Sequence, residues 1–157
     1  MPYPYLKLIH IAGAILFVGN ITVTALWKTA ADRTGNPVIV AWSQRLVRVT
    51  DRAFTVPGIL LLLGDGLVMA LERGPLVYHS VWVMWGVTLL LASGVIWGVV
   101  LVPVQRRQLR LSLDFRAGRE IPAGYWLLAR RWRMFGMLAT LLPWAALWLM
   151  VLRPAGG

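Results

Sequence analysis

Two ionisable residues stand where the chain is otherwise apolar, and both are of types that do chemistry. His10 lies in the run Leu8-Ile9-His10-Ile11-Ala12-Gly13. At about 100° per residue, His10, Gly13, Phe17, Asn20 and Thr24 share one helical stripe roughly 80° wide. A stripe of small and polar residues on such a helix faces protein or a cofactor. His10 is then a metal or cofactor ligand, or a neutral imidazole hydrogen-bonded to a neighbouring helix. Asp65 sits in Gly64-Asp65-Gly66, with Gly58 and Glu72 on its face. A buried carboxylate must be paired, hydrogen-bonded or protonated. By depth its nearest partner is His10, and a structural bond or a proton relay through Asp65 are both consistent with that spacing. A third stripe carries His79, Gly86, Ser93 and Trp97, with Gly94 beside it. Its small residues leave a groove for a neighbouring helix or a flat macrocycle.

These residues need elements to position them, and hydropathy supplies four. About 20 apolar residues cross a hydrocarbon core of about 30 Å. Residues 8–27, 53–71, 81–104 and 134–152 meet that length, and in lipid a run that long must satisfy its own backbone as a helix. The fold expected is all-α: one four-transmembrane-helix bundle over residues 1–157, with amphipathic interfacial segments in two loops. Those segments, Val38 to Asp51 and Val104 to Arg116, mix leucines and valines with arginines and are expected in the headgroup plane. Pro57 falls near the start of the second helix, where a missing N–H matters little. Pro143 lies inside the fourth and predicts a kink.

Composition narrows the class further. Of 157 residues 59% are hydrophobic and only 14% charged, too few charges to cover a soluble domain. The absence of cysteine excludes disulfides, iron–sulfur clusters, thiolate zinc and c-type haem attachment. A net charge of +10 suggests nucleic acid at first sight. The arginines, however, cluster between apolar runs as membrane topology requires, and no nucleic-acid partner is expected. Lys28, Arg33, Arg45, Arg48 and Arg52 occupy the first loop, and Arg106 through Arg133 the third. The second loop has only Arg73. The basic loops are therefore expected in the cytoplasm and both termini outside, with anionic headgroups the natural partners of the basic loops. No cleavable signal peptide is expected from Met1-Pro2-Tyr3-Pro4-Tyr5. Tyr3, Tyr5, Trp27, Trp42, Tyr78, Trp82, Tyr125, Trp126 and Trp148 read as aromatic-belt positions.

A haem between the first and third helices needs two ligands at similar depth. Counting about 1.5 Å per residue from the basic ends, His10 lies about 27 Å up and His79 about 37 Å. Met84 is nearer His10's level and offers a thioether, as in His/Met cytochromes. Lys7 and Arg73, near the same surface, are placed to pair with propionates or to act as ordinary flanking charges.

The run His10-x6-Phe17-Val18-Gly19, in a helix opening Tyr5-Leu6-Lys7-Leu8-Ile9, resembles the first helix of the CopD-like membrane superfamily. The whole chain resembles one bacterial branch of it, predicted integral membrane proteins with domain of unknown function 2269. The segments carrying that resemblance are Arg48-Val49-Thr50-Asp51-Arg52-Ala53-Phe54-Thr55-Val56-Pro57-Gly58, Ser93-Gly94-Val95-Ile96-Trp97 and Pro103-Val104-Gln105-Arg106. A sister branch is the HemJ-type protoporphyrinogen oxidase, a four-helix haem b protein whose first-helix histidine ligand maps onto His10. Its third-helix lysine would fall near Trp85 or Gly86, and no lysine stands there. The CopD branch is linked to copper uptake, but this chain lacks the His/Met cluster that selects copper. The resemblance implies a bacterial inner-membrane protein that binds haem b through His10 and serves redox chemistry, as electron transfer with quinone or porphyrinogen-type oxidation. The contrary expectation is a cofactor-free structural or accessory subunit, in a homo-oligomer or larger membrane complex. Transport has no broken-helix pair to support it.

Overall fold

The structure is a computed structural model that describes residues 2–74 and 80–153. Every described element is helical. Helix α1 spans Tyr3–Arg33 and α2 Pro37–Thr50. A π-helical turn, Asp51–Thr55, joins α2 without a break to α3, Val56–Arg73. Helix α4, Val81–Ile96, runs through a second π-turn, Trp97–Leu101, into α5, Val102–Phe115. Helix α6 spans Ala123–Leu152 and stays one helix through Pro143. Four continuous rods result, each long and apolar enough to cross a membrane: Tyr3–Arg33, Pro37–Arg73, Val81–Phe115 and Ala123–Leu152.

Local chemistry explains the boundaries. The chain leaves α1 through Gly35, whose φ of +62° suits a residue without Cβ. Asn36 then caps α2, its Oδ1 accepting from the N–H of Val38 at 2.9 Å and of Ile39 at 3.3 Å, and Pro37 follows in the first turn. Each π-turn is followed at its second residue by a proline, Pro57 or Pro103. The missing proline N–H frees the carbonyl four residues back, at Ala53 or Val99, inside the π-turn. The ladder adjusts by widening: the Val56 N–H reaches Asp51 O and the Val102 N–H reaches Trp97 O, five residues back. Pro57 therefore shapes the middle of a rod, where the sequence suggested a harmless first-turn position.

The rods are also longer than the apolar spans. Arg45, Arg48, Arg130, Arg131 and Arg133 lower hydropathy and end the hydrophobic reading, yet none of them breaks a helix. Thus α6 begins at Ala123, not Met134, and the second and third rods run on through the amphipathic stretches. Those stretches, now α2 and α5, bury Val40, Ser43, Gln44 and Val47 on one side and Val104, Gln108, Ser112 and Phe115 on the other. They pack on each other and on α1 and α6. Their apolar faces meet protein, and a position flat in the headgroup plane is not what this packing gives.

Helix α1 lies along α3 and α4 lies along α6, while α1 also touches α6 and α2 touches α5. The outside of this bundle is apolar. Ile15, Leu26, Leu60, Leu71, Val99, Leu141 and Val151 are all more than half exposed. Such a surface belongs in a bilayer.

Candidate functional site

The α1 stripe faces α3 from His10 to Phe17 and meets the first π-turn at Asn20. Gly13 and Gly58 bring the two backbones together: a Cβ on Gly58 would stand 2.7 Å from the Phe17 nitrogen and 3.0 Å from the Gly13 oxygen. One turn further out, the His10 ring lies against Gly66, where an ideal Cβ would be 3.4 Å from Cε1. That close approach places His10 Nδ1 3.6 Å from Asp65 Oδ2. Both atoms are buried and neither has a hydrogen-bond partner at that separation. The Asp65 side chain is 5% exposed and the His10 side chain 30%. Since Nδ1 is buried, the exposure belongs to the far edge of the ring. The pair joined by depth in the sequence is thus brought together, with one imidazole edge left open.

Nearer the basic end the same stripe becomes a hydrogen-bonded ladder. Asn20 Nδ2 donates to Thr55 Oγ1 at 2.8 Å, and Thr55 Oγ1 donates to Asp51 Oδ1 at 3.0 Å. Gln105 Nε2 from α5 donates to Asp51 Oδ2 at 3.1 Å. This ladder ties the first π-turn to α1 on one side and to α5 on the other. Phe17, Val18 and Leu62 form an apolar layer between it and the His10–Asp65 pair.

A second network, at the basic end, escaped the sequence reading. Lys28 is fully buried, its ammonium 2.5 Å from Asp32 Oδ2 and donating to Tyr125 Oη at 3.1 Å. Tyr125 Oη also accepts from Gln44 Nε2 at 2.6 Å and donates to Asp32 Oδ1 at 2.8 Å. The Trp132 ring adds a cation–π contact, its centroid 5.2 Å from Nζ. Tyr125, expected in the aromatic belt, has no exposed surface. The nearest signal was the i,i+4 spacing of Lys28 and Asp32. Nothing local marks Tyr125 or Gln44.

The other candidate ligands fall elsewhere. His79 lies outside the described residues. Met84 is 56% exposed, and α1 and α4 come no closer than 8 Å, Cα to Cα. The α4 stripe is taken by α6: Gly86 packs on Met150, and Ser93 Oγ donates to Ala139 O at 2.6 Å. Arg73 lies over the Tyr3 ring at 4.2 Å. An apolar groove of about 300 Å³ between α3 and α4, lined by Ile59, Leu63, Leu90 and Gly94, does not reach His10. No cluster of three or more His, Cys, Asp or Glu side chains occurs among the described residues. For a haem, then, the residues present would offer one ligand, His10, approached at the open edge of its ring. The stripes that could have sandwiched a macrocycle are filled by helices.

No curated protein and no solved structure matches the chain. The family model described as a predicted integral membrane protein (DUF2269) matches residues 4–154. With four membrane-length helices and nearly the whole chain covered, the protein belongs to that family of integral membrane proteins.

Proposed function

We propose that the protein is a membrane redox protein that holds haem b through His10. The observation that carries this reading is the 3.6 Å approach of His10 Nδ1 to the Asp65 carboxylate while the opposite ring edge stays open. Histidines that ligate metals usually turn their second nitrogen to a carboxylate, which orients the ring and raises its basicity. A proton on Nδ1 would point at Asp65 Oδ2 and leave the Nε2 lone pair for iron. The bound haem would supply one-electron chemistry. His10 would hold the iron, and Asp65 would hold the imidazole proton. Quinone or a porphyrinogen-type molecule is the class of redox partner this reading expects.

Purified protein should then show b-type bands in a reduced-minus-oxidised spectrum, near one haem per chain. His10→Ala should remove the bands and keep the helical circular dichroism. Asp65→Asn should keep them with roughly 10- to 100-fold weaker haem retention. A flat spectrum from cells supplied with haem would sink the reading.

A second reading is a cofactor-free accessory subunit. The filled stripes of α1 and α4 support it, because small residues that serve helix packing need no macrocycle. It expects colourless protein that purifies with stoichiometric partners. Under either reading we place the chain in a bacterial cytoplasmic membrane with both termini outside. The support is the asymmetry of lysine and arginine between the two ends of the bundle.

A further inference from the structure

The bundle interior holds a second polar place, away from His10. Beside the two π-turns is a cavity of about 40 Å³, lined among others by Thr24, Asp51, Trp97, Gln105, Trp132 and Gly136. Trp132 is 5% exposed, and its Nε1–H has no hydrogen-bond partner in the protein. Trp97 Nε1 is likewise buried and lies beside the Asp51 carboxylate without the geometry of a hydrogen bond. Trp97, Trp132 and Asp51, whose two oxygens already accept from Thr55 and Gln105, therefore border one small space.

A buried donor without a partner is costly, and two such groups rarely persist around one cavity. A water molecule needs about 10–15 Å³ and two to four polar partners, and occupies roughly 30 Å³ in the liquid. Both conditions are met. The volume also decides against a larger occupant: pockets for drug-sized ligands run to about 300–1,000 Å³.

We propose that this cavity is a structural water site, holding one or two water molecules that accept from the Trp97 and Trp132 indoles and donate to Asp51. The water joins α6 to both π-turns, where the prolines have loosened the backbone ladder. It also supplies exchangeable protons to a carboxylate deep in the bundle.

Gly136 offers the test, because a Cβ there meets nothing within 4 Å and points into open space. In indole-¹⁵N-labelled protein in micelles, the Trp97 and Trp132 Nε1–H resonances should show cross-relaxation with long-lived water. Trp144, whose Nε1 donates to Thr22 Oγ1 at 3.0 Å, serves as the internal control for the fold. Gly136→Val should fill the space and abolish the water contacts of both indoles while the Trp144 signal holds its position. Water contact that survives in the folded valine variant overturns the proposal. So does a wild-type spectrum in which neither indole contacts water, and that spectrum decides the matter even where the valine variant does not fold.

Discussion

Lys28→Met is expected to destabilise the protein by about 3–5 kcal/mol, the usual cost of removing one partner from a buried ion pair. The lysine is fully buried and the Asp32 it neutralises is 3% exposed. Without the ammonium, Asp32 keeps only the Tyr125 hydroxyl, and that hydroxyl loses one of its two donors. The methionine has about the right length to fill the space, so the loss reports charge more than volume. Lys28→Met combined with Asp32→Leu should recover most of the stability, because replacing both ions of a buried pair with apolar groups is often neutral. Tyr125→Phe removes the hub and keeps the ring packed on Phe115; a smaller loss of about 1–3 kcal/mol is expected. Equilibrium unfolding in mixed micelles measures all three. A Lys28→Met loss below about 1 kcal/mol, the range of exposed pairs, would show the network to be wet and slack.

The same residues show which parts of this molecule could be read in advance. The four spans were legible because an apolar run of membrane length has one solution in lipid. The His10–Asp65 pairing was legible because a helix fixes depth at about 1.5 Å per residue. Charged residues misled in one consistent way. Lys28 and the arginines of α2 and α6 end a hydropathy window, but a helix stops for glycine, proline or a cap, not for charge. Hence the sequence reads α2 as an interfacial loop segment and residues 123–133 of α6 as loop. Tyr125 and Lys28, 97 residues apart, meet only through that hidden helical extension. The partner of each stripe was open for a related reason. Periodicity names the residues on a face, whereas the neighbour that covers it depends on how all four rods assemble. Gly86 and Ser93 could have faced a macrocycle, and α6 took the place.

Gly58→Ala should cost about 2 kcal/mol, while the same change at Gly64, two turns along α3, should be neutral or stabilising by up to about 1 kcal/mol. Both glycines sit in a helix interior, where alanine is intrinsically better by about 0.8–1.0 kcal/mol. Only their surroundings differ. A Cβ on Gly64 meets nothing within 4 Å. A Cβ on Gly58 meets the Phe17 nitrogen at 2.7 Å, the Phe17 Cβ at 2.9 Å and the Gly13 oxygen at 3.0 Å. Two of those three atoms are backbone of α1, so no side chain can swing aside and the helices themselves must part. Overpacking of this kind costs typically 1–3 kcal/mol, and a rigid obstacle puts it at or beyond the top of that range before the propensity gain is subtracted. The parting has a consequence two turns away. Gly13 and Gly58 set the spacing of α1 and α3, and that spacing holds His10 3.6 Å from Asp65. Gly58→Ala should therefore loosen the imidazole as well as the fold, visible as a shifted and broadened His10 ring resonance that Gly64→Ala leaves unchanged. Equal stability in the two variants would mean that α1 and α3 pack less closely at Gly58 than this crossing requires. The depth match between His10 and Asp65 would then rest on α3's other contacts alone.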